Sequence, residues 1–209
     1  MPVYPGTEPV AVEHSATLAA DGYRTTRLDL DSHAGTHVDA PAHLTDGPGL
    51  EAFPVERFRF DAAKADVRPV DAREAVGVER LREALAAAPR EVDLVAVVTG
   101  WDDHWGTERY FDHPYLTAEA ATWLADRGCD LGVDAVNPDP TPTERAVAEE
   151  PDGFPVHERM FEAESLIVEN LRGLDRPPER FELHAQPLRF ADADASPVRA
   201  VAFDGDGDH

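Results

Sequence analysis

Three histidines and one aspartate stand close together in the segment from Ser32 to His43. His33, His37, Asp39 and His43 fall within eleven residues. Imidazole nitrogen and carboxylate oxygen are ligands that suit zinc, manganese or iron, and a catalytic site leaves one coordination position open for water. The segment therefore predicts a catalytic metal site. The alternative is a polar surface loop whose histidines are simply solvated.

The spacing of these residues indicates an extended backbone. His33, His37 and Asp39 share one parity, so on a strand, where side chains alternate between faces, all three point to one side. A helix would carry Asp39 about 200° away from His37, at roughly 100° per residue. Gly35 and Pro41 also disfavour a helix. We expect a strand or an extended loop that brings three ligands together.

Two residues far along the chain are candidates to complete this site. Glu169 lies inside the apolar segment Leu166–Leu171, where a buried carboxylate is costly unless it is paired or bound to a cation. His157 stands at the start of a predicted helix. Taken alone, Glu169 could be an edge-strand acid facing water, and His157 an exposed or capping histidine. Together with the upstream cluster, both become candidate ligands.

An ordered set of motifs carries a resemblance to a known family. The pattern from His33 to His43 resembles the signature of the cyclase family of metal-dependent hydrolases, which includes bacterial kynurenine formamidase and isatin hydrolase. Further matches follow in the same order along most of the chain: Tyr4-Pro5-Gly6, Thr99-Gly100-Trp101, Gly132-Val133-Asp134, His157 with Glu169 twelve residues on, Glu169-Asn170-Leu171, and Ser196-Pro197-Val198-Arg199-Ala200.

The resemblance implies a role for each matched residue. The metal ligands would be His33, His37, Asp39, His157 and Glu169. They would hold two divalent ions with shared ligands, usually zinc, with manganese used in relatives. His43 matches the catalytic histidine of the family. The implied fold is a mixed α/β domain of the β/β/α, kynurenine formamidase-like type, which assembles as a homodimer or higher oligomer with partner residues near the active site.

These roles predict hydrolysis of a small-molecule amide. A metal ion lowers the pKa of bound water towards neutrality, so that a metal-bound hydroxide can attack the carbonyl that the ion polarises. His43, which titrates near neutral pH, would then carry a proton to the leaving nitrogen. Tyr4 and Trp101 are expected to stack on an aryl ring of the substrate, although ordinary packing is an equal reading for Trp101.

The substrate has several candidates. An arylformamide such as N-formylkynurenine leads, and a cyclic amide or lactone of the isatin hydrolase type is a close variant. Tyr4 stands where formamidases often carry Trp, and Thr7 where an acid is frequent, and we expect the first strand common in relatives to be absent. A mononuclear non-haem iron oxygenase would use His37, Asp39 and His157 as its triad. A noncatalytic, acidic metal-binding protein is the remaining alternative.

Composition limits the class of protein further. The 209 residues suit a single domain, 1–209, and carry a net charge of -23, with Lys64 as the only lysine. Such a surface repels nucleic acid and anionic membranes and is typical of a halophilic source, although an acidic interaction protein is an alternative. Cys129 is the only cysteine, so no disulfide can form within the chain. Without a signal or membrane segment, we expect a cytoplasmic protein.

The remaining pattern predicts strands mixed with helices, and hence an α/β or α+β domain. The run from Leu94 to Val98 is continuous and mostly β-branched, which indicates a strand buried on both faces. Thr117 is expected to cap a helix. The other predicted segments are a strand at 62–67, helices at 78–88 and 156–163, strands at 129–136, 180–190 and 198–203, and an acidic loop at 191–197.

Overall fold

The computed structural model describes residues 3–86 and 91–204. The strands in this part of the chain are β1 (Ala11–Ala16), β2 (Thr25–Asp29), β3 (His37–Asp39), β4 (Arg59–Asp66), β5 (Ala75–Val76), β6 (Leu94–Val98), β7 (Tyr115–Leu116), β8 (Asp130–Val133), β9 (Ile167–Glu169), β10 (Arg180–His184), β11 (Ala195–Pro197) and β12 (Val201–Asp204). The α-helices are α1 (Leu18–Asp21), α2 (Val78–Ala84), α3 (Ala118–Ala125) and α4 (Pro155–Glu162).

One large mixed sheet organises the described residues. Its eight strands run in the order β11-β3-β9-β8-β6-β4-β10-β12. The four central strands β9, β8, β6 and β4 are parallel neighbours, and the strands towards both edges pair antiparallel. Parallel strands need crossover connections, and helices supply several of them here. The mixed α/β fold predicted from the sequence is confirmed.

The central strand β6 is buried on both faces, as its apolar sequence predicts. Leu94, Ala96 and Val98 belong to one apolar cluster, while Val95 and Val97 belong to the cluster on the opposite face. Helices α2, α3 and α4 cover the second cluster through residues such as Leu81, Leu124 and Met160. The sheet therefore stands between two separate cores, and its strand ends remain free to present polar side chains.

Helices α3 and α4 begin where their capping groups predict. The Thr117 hydroxyl accepts a hydrogen bond from the amide of Ala120 at 3.2 Å, which satisfies a free donor of the first turn of α3. Helix α4 has Pro155 in its first turn, where a missing amide hydrogen has no cost. The predicted helix at 78–88 is shorter, because α2 ends at Ala84; positions 87–88 lie outside the described residues.

Several predicted segments differ from the observed elements. The strand predicted at 180–190 ends at His184, three residues before Pro187, which has no amide hydrogen for a ladder. The loop predicted at 191–197 contains strand β11, which pairs with β3 at the edge of the sheet. Pro197 suits such an edge position. Strand β11 is the tripeptide Ala-Ser-Pro, which follows an acidic segment and has no strand pattern of its own, so only its pairing with β3 makes it a strand.

The first two strands form a hairpin that stands apart from the large sheet. Strand β1 pairs only with β2 in the described residues, and of the residues in these strands Ala16 alone is buried. Across the described ranges, the helices are too short or too polar to cross a membrane.

Candidate metal centre

Strand β3 presents two of the predicted ligands on one face. His37 and Asp39 are two residues apart and therefore point to the same side, while Val38 between them points into the apolar core. Both polar side chains are almost inaccessible, with exposed fractions of 1% and 0%. The strand therefore places His37 and Asp39 on the same face, as their spacing predicts.

The register of β3 against β9 places Glu169 beside these residues. His37 and Glu169 are direct cross-strand partners, and such partners have neighbouring side chains on one face of a sheet. The Nε2 atom of His37 lies 3.3 Å from Oε2 of Glu169 and 3.2 Å from Oδ1 of Asp39. The strand ends at Glu169, and the next residue, Asn170, has a φ of 57° that turns the chain away directly after the carboxylate.

Helix α4 brings His157 to the same place. The carboxylate of Asp139 accepts hydrogen bonds from the amides of Val156 and His157, at 2.7 and 3.1 Å, and so caps the first turn of the helix. The same carboxylate lies 2.7 Å from Nδ1 of His157. The other ring nitrogen, Nε2, therefore faces the centre, 3.2 Å from Oε1 of Glu169. Asp139 thus orients both the helix and its histidine.

His33 reaches the centre by a different route from the one its parity predicts. Residues 31–36 form a turn, in which Gly35 has a φ of 70°, and the strand begins only at His37. The turn nevertheless places Nδ1 of His33 3.0 Å from Oδ1 of Asp39. The prediction that His33 joins His37 and Asp39 agrees with this placement, but the extended backbone predicted between them is wrong.

The charges of these side chains shift one another strongly. Burial acts to lower the pKa of His33, but Asp39 raises it to about 9. Burial also opposes protonation of His37, whose pKa Asp39 nevertheless holds well above its ordinary value. Burial raises the pKa of Asp39, but His37 and His33 bring it well below the usual range. Without a metal ion, protons on His33 and His37 therefore balance the negative charge of Asp39.

The polar atoms at the centre fit a metal ion. Four buried side-chain atoms of the centre have no hydrogen-bond partner among the described residues: Nε2 of His37, Oδ1 and Oδ2 of Asp39, and Oε1 of Glu169. Buried polar atoms are rarely left without partners, so a cluster of four such atoms suits a bound cation. Two groups of three donors that share Asp39 could each hold an ion: His33, His37 and Asp39, and Asp39, His157 and Glu169. A third group beside them consists of His33, His43 and the partly exposed Asp194.

His43 lies at the side of this centre. It ends a short 3₁₀ turn, Pro41–His43, that follows β3, and its ring centroid is 4.1 Å from that of His33 and 5.9 Å from that of His157. Burial and the neighbouring His33 lower the pKa of His43 below its ordinary value. A neutral imidazole at neutral pH can accept a proton.

A cavity of about 430 Å³ opens onto these side chains. All five predicted ligands and His43 line it. Tyr4, predicted as a substrate contact, also lines the cavity, with its ring 6.2 Å from that of Phe154. Burial, followed by the nearby charge of Glu169, raises the pKa of the Tyr4 hydroxyl to about 12, so it remains a hydrogen-bond donor. Apolar and ionisable groups therefore meet in one pocket of the size that small ligands occupy.

Trp101, the other predicted substrate contact, is placed elsewhere. It begins the turn after Gly100, whose φ is 75°, and it is buried against Tyr110 and Val136. Its exposed fraction is 4%, and it is absent from the lining of the cavity. The expectation that Trp101 stacks on a substrate is not met within this chain, because its ring completes a small core behind the site.

Sequence reasoning missed several residues of the site. Asp139 orients His157, Asp194 contacts His33 and His43, and Asn137 and Phe154 line the cavity. Asn137 and Asp139 follow the carboxyl end of the parallel strand β8, and ligand sites commonly form at such ends. Their position after a parallel strand is therefore a sequence signal that marks Asn137 and Asp139 as candidate site residues. Asp194 stands in an acidic loop in which nothing in the sequence distinguishes it from Asp192.

Comparisons with known proteins find a family model and solved structures to which the chain is similar. The model of the Cyclase family, described as "Putative cyclase", matches residues 1–140. The matched range includes the segment from His33 to His43 but ends before His157 and Glu169.

Solved structures of similar fold cover nearly the whole chain. Isatin hydrolase A from Labrenzia aggregata, bound to benzyl benzoate, has a TM-score of 0.83 at 21% identity, over 97% of this chain and 87% of that one. Isatin hydrolase A from Ralstonia solanacearum has a TM-score of 0.78 at 24% identity, over 93% and 81%. A predicted metal-dependent hydrolase from Bacillus stearothermophilus has a TM-score of 0.75 at 26% identity, over 98% and 92%.

Metal binding is predicted to release protons. A coordinating imidazole must offer a lone pair, and the pKa of His33 near 9 means that this ring carries a proton at pH 7 in the metal-free protein. Affinity for Zn²⁺ should therefore rise as the pH rises towards 9. Calorimetric titration at pH 7 in buffers of different ionisation enthalpy measures the protons released. A binding heat that is the same in every buffer would contradict the prediction.

Substituting Asp39 is predicted to remove the metal. Asp39→Asn deletes the charge shared by the two donor groups and should weaken metal binding by more than about 100-fold, beyond the range typical of groups that only orient ligands. Elemental analysis after dialysis measures the occupancy. Asp46→Asn is the matched control, because Asp46 is exposed and changes the net charge equally. Full occupancy in folded Asp39→Asn protein would refute its role as a ligand.

Proposed function

The chain belongs to the Cyclase family, and from this premise we propose that it is a metal-dependent hydrolase of carbon–nitrogen bonds in small amides. One observation carries the proposal: three histidines and two carboxylates converge, and four of their buried atoms lack hydrogen-bond partners. Solved proteins of the same fold described as isatin hydrolases and metal-dependent hydrolases support it.

We propose divalent ions, zinc first and manganese second, as the cofactors. Three imidazoles and two carboxylates are a donor set suited to both metals. Two donor groups share Asp39, which supports a pair of ions: His33, His37 and Asp39 would hold one, and Asp39, His157 and Glu169 would hold the other. When bound, such ions acidify water and polarise a carbonyl oxygen.

The residues of the chain supply proton transfer and substrate orientation. His43 lines the cavity beside the proposed ligands, and its lowered pKa keeps it neutral, so it can take a proton and return it to the leaving nitrogen. The rings of Tyr4 and Phe154 offer an apolar wall for a planar aryl group. The cavity of about 430 Å³ suits a substrate of one or two rings.

Two aromatic amides are candidate substrates within this class. An arylformamide such as N-formylkynurenine is the first, because the histidine-rich segment resembles that of kynurenine formamidases. Isatin, a cyclic amide, is the second, and the isatin hydrolases of similar fold favour it. Both present a carbonyl next to an aryl nitrogen, and they differ in whether the leaving nitrogen stays attached to the acid product.

Direct assays of both compounds test the function. The metal-loaded protein, in buffers from low to high salt, is expected to hydrolyse at least one of them in a reaction that a chelator abolishes and added metal restores. An iron oxygenase would instead consume oxygen with one bound iron. A noncatalytic protein would bind metal without turning over any amide, ester or lactone. Either result would overturn the proposal.

Replacement of His43 is predicted to separate turnover from metal binding. His43→Ala should keep its metal, because the five proposed ligands are intact, and should lower kcat by roughly 10²–10⁴-fold, the usual contribution of acid–base catalysis. Steady-state kinetics and elemental analysis of the same sample measure both properties. Unchanged kcat in a metal-replete variant would refute the role of His43.

We further propose that the chain forms a homodimer through the β1–β2 hairpin. Val12 and Leu28 are cross-strand partners with exposed fractions of 64% and 61%, and a two-stranded hairpin alone is marginally stable in water. Residues 11–29 contain three acids and two arginines, so this surface repels a second copy far less than the strongly acidic remainder does.

Charged substitutions in the hairpin are predicted to yield monomers. Val12→Glu combined with Leu28→Glu would place charge in the proposed interface and should halve the mass measured by light scattering. Val147→Glu is the control, since Val147 is also an exposed apolar residue, with an exposed fraction of 53%, and lies outside the hairpin. A wild-type monomer, or a double variant that remains dimeric, would contradict this interface.

A further inference from the structure

Asp194 joins two groups that have different proposed roles. Its Oδ2 atom lies 3.0 Å from Nε2 of the ligand His33 and 3.5 Å from Nδ1 of the proton carrier His43. Its Oδ1 atom accepts a hydrogen bond from the hydroxyl of Ser32 at 3.1 Å. One carboxylate therefore contacts both histidines, and it meets His33 at the ring nitrogen that does not face Asp39.

The backbone holds this carboxylate in place. The carbonyl of Asp194 accepts a hydrogen bond from the amide of Ala40 at 2.8 Å, and the next residue, Ala195, is the cross-strand partner of Asp39. Strand β11 thus delivers Asp194 in register with the ligand strand β3. The position of its side chain depends on the sheet and not on the acidic loop before it.

The contact with His33 determines which ring nitrogen can bind a metal. A neutral imidazole has one nitrogen that donates and one that accepts. The carboxylate of Asp194 only accepts, so the proton is held on Nε2 and the lone pair is left on Nδ1, which lies 3.0 Å from Asp39. A carboxylate behind a ligating histidine fixes its tautomer and increases its basicity.

The contact with His43 acts on the proton carrier in a similar way. Asp194 faces Nδ1 of His43, and the His33 ring, 4.1 Å away between centroids, restricts the rotation of the His43 ring. The nitrogen not engaged by Asp194 is Nε2. Among the ion pairs of the described residues, Asp194 is the only charged partner of Nδ1 of His43.

We propose that Asp194 is a positioning residue that fixes the Nδ1 ligand tautomer of His33 and the ring orientation of His43 at the same time. The role in catalysis rests on the proposed function, because it assumes that His43 carries a proton. The role in metal binding is independent of any substrate. The two parts can therefore be tested separately.

The first experiment measures metal binding without turnover. Asp194→Ala and Asp194→Asn are expected to weaken Zn²⁺ affinity by about 10–100-fold in competition with a chelator, with Asp194→Asn nearer the lower end because its carbonyl can still accept from His33. Asp192→Asn is the control, since this neighbouring side chain is exposed. Affinities within twofold of the control would overturn the proposal, as would the loss of a whole ion per chain, which would make Asp194 a ligand.

The second experiment observes the tautomer directly. Nitrogen NMR of the zinc-loaded wild type should show His33 protonated at Nε2, and Asp194→Ala should lose or broaden that proton signal while the control retains it. A wild-type His33 protonated at Nδ1 would overturn the proposal. This measurement distinguishes positioning from a general effect of charge, which would leave the tautomer unchanged.

The third experiment is a double-mutant cycle at saturating metal. Asp194→Ala should lower kcat about tenfold or more with little change in KM, and should have no further effect on kcat in the His43→Ala background, because its catalytic effect passes through that ring. Equal losses in both backgrounds would overturn the link to His43. If no substrate is turned over by the wild type, the proposed function fails, while the affinity and NMR results still decide the role at His33.

Discussion

Two carboxylates buried among three histidines are the constraint on which the rest of the site depends. Asp39 and Glu169 have exposed fractions of 0% and 5%, and burying each charge alone would cost several kcal/mol. Although burial opposes it, the neighbouring carboxylates hold the pKa of His37 and of His157 well above the ordinary value, so protons on these rings offset the cost when no ion is bound. A divalent ion would take the place of these protons. The fold must therefore hold five side chains at positions that satisfy either state, which explains why so much of the surrounding structure serves to orient them.

Three parts of the chain that are distant in sequence supply this arrangement through different physical means. Strand pairing aligns His37 with Glu169, and a capping carboxylate, Asp139, aligns both α4 and His157. The turn before β3 brings in His33. The non-ligating nitrogen of each histidine also has an acceptor: the carbonyl of Gly35 for Nδ1 of His37, at 2.7 Å, and Asp139 and Asp194 for the other two. Since these acceptors turn the opposite nitrogen of all three rings inward, the rings are already oriented when an ion replaces the protons on those nitrogens.

The sequence predicted what depends on local pattern and missed what depends on tertiary pairing. The same-side arrangement of His37 and Asp39, the doubly buried strand β6 and the cap at Thr117 follow from alternation, apolar runs and hydroxyl chemistry, and all are observed. The strand β11 has no local signature, because only its hydrogen bonds to β3 make it extended. Asp194 was missed for the same reason. Trp101 was misplaced because an aromatic side chain after a glycine turn suits a substrate wall and a small core equally well, and only the contacts with Tyr110 and Val136 decide.

The proposed ligands and the outer wall of the cavity lie on different kinds of structural element. This difference allows one fold to serve several substrates. Of the five proposed ligands, all but His33 lie on strands or a helix of the core, whereas Tyr4, Leu44 and Phe154 lie in turns and irregular segments. Loops tolerate sequence change better than the elements they connect, so the wall can vary while the chemistry at the centre is kept. A similar overall fold is therefore a stronger argument for metal-assisted hydrolysis than for any one amide. The identity of the substrate therefore depends on the variable segments of the wall, such as the one around Tyr4.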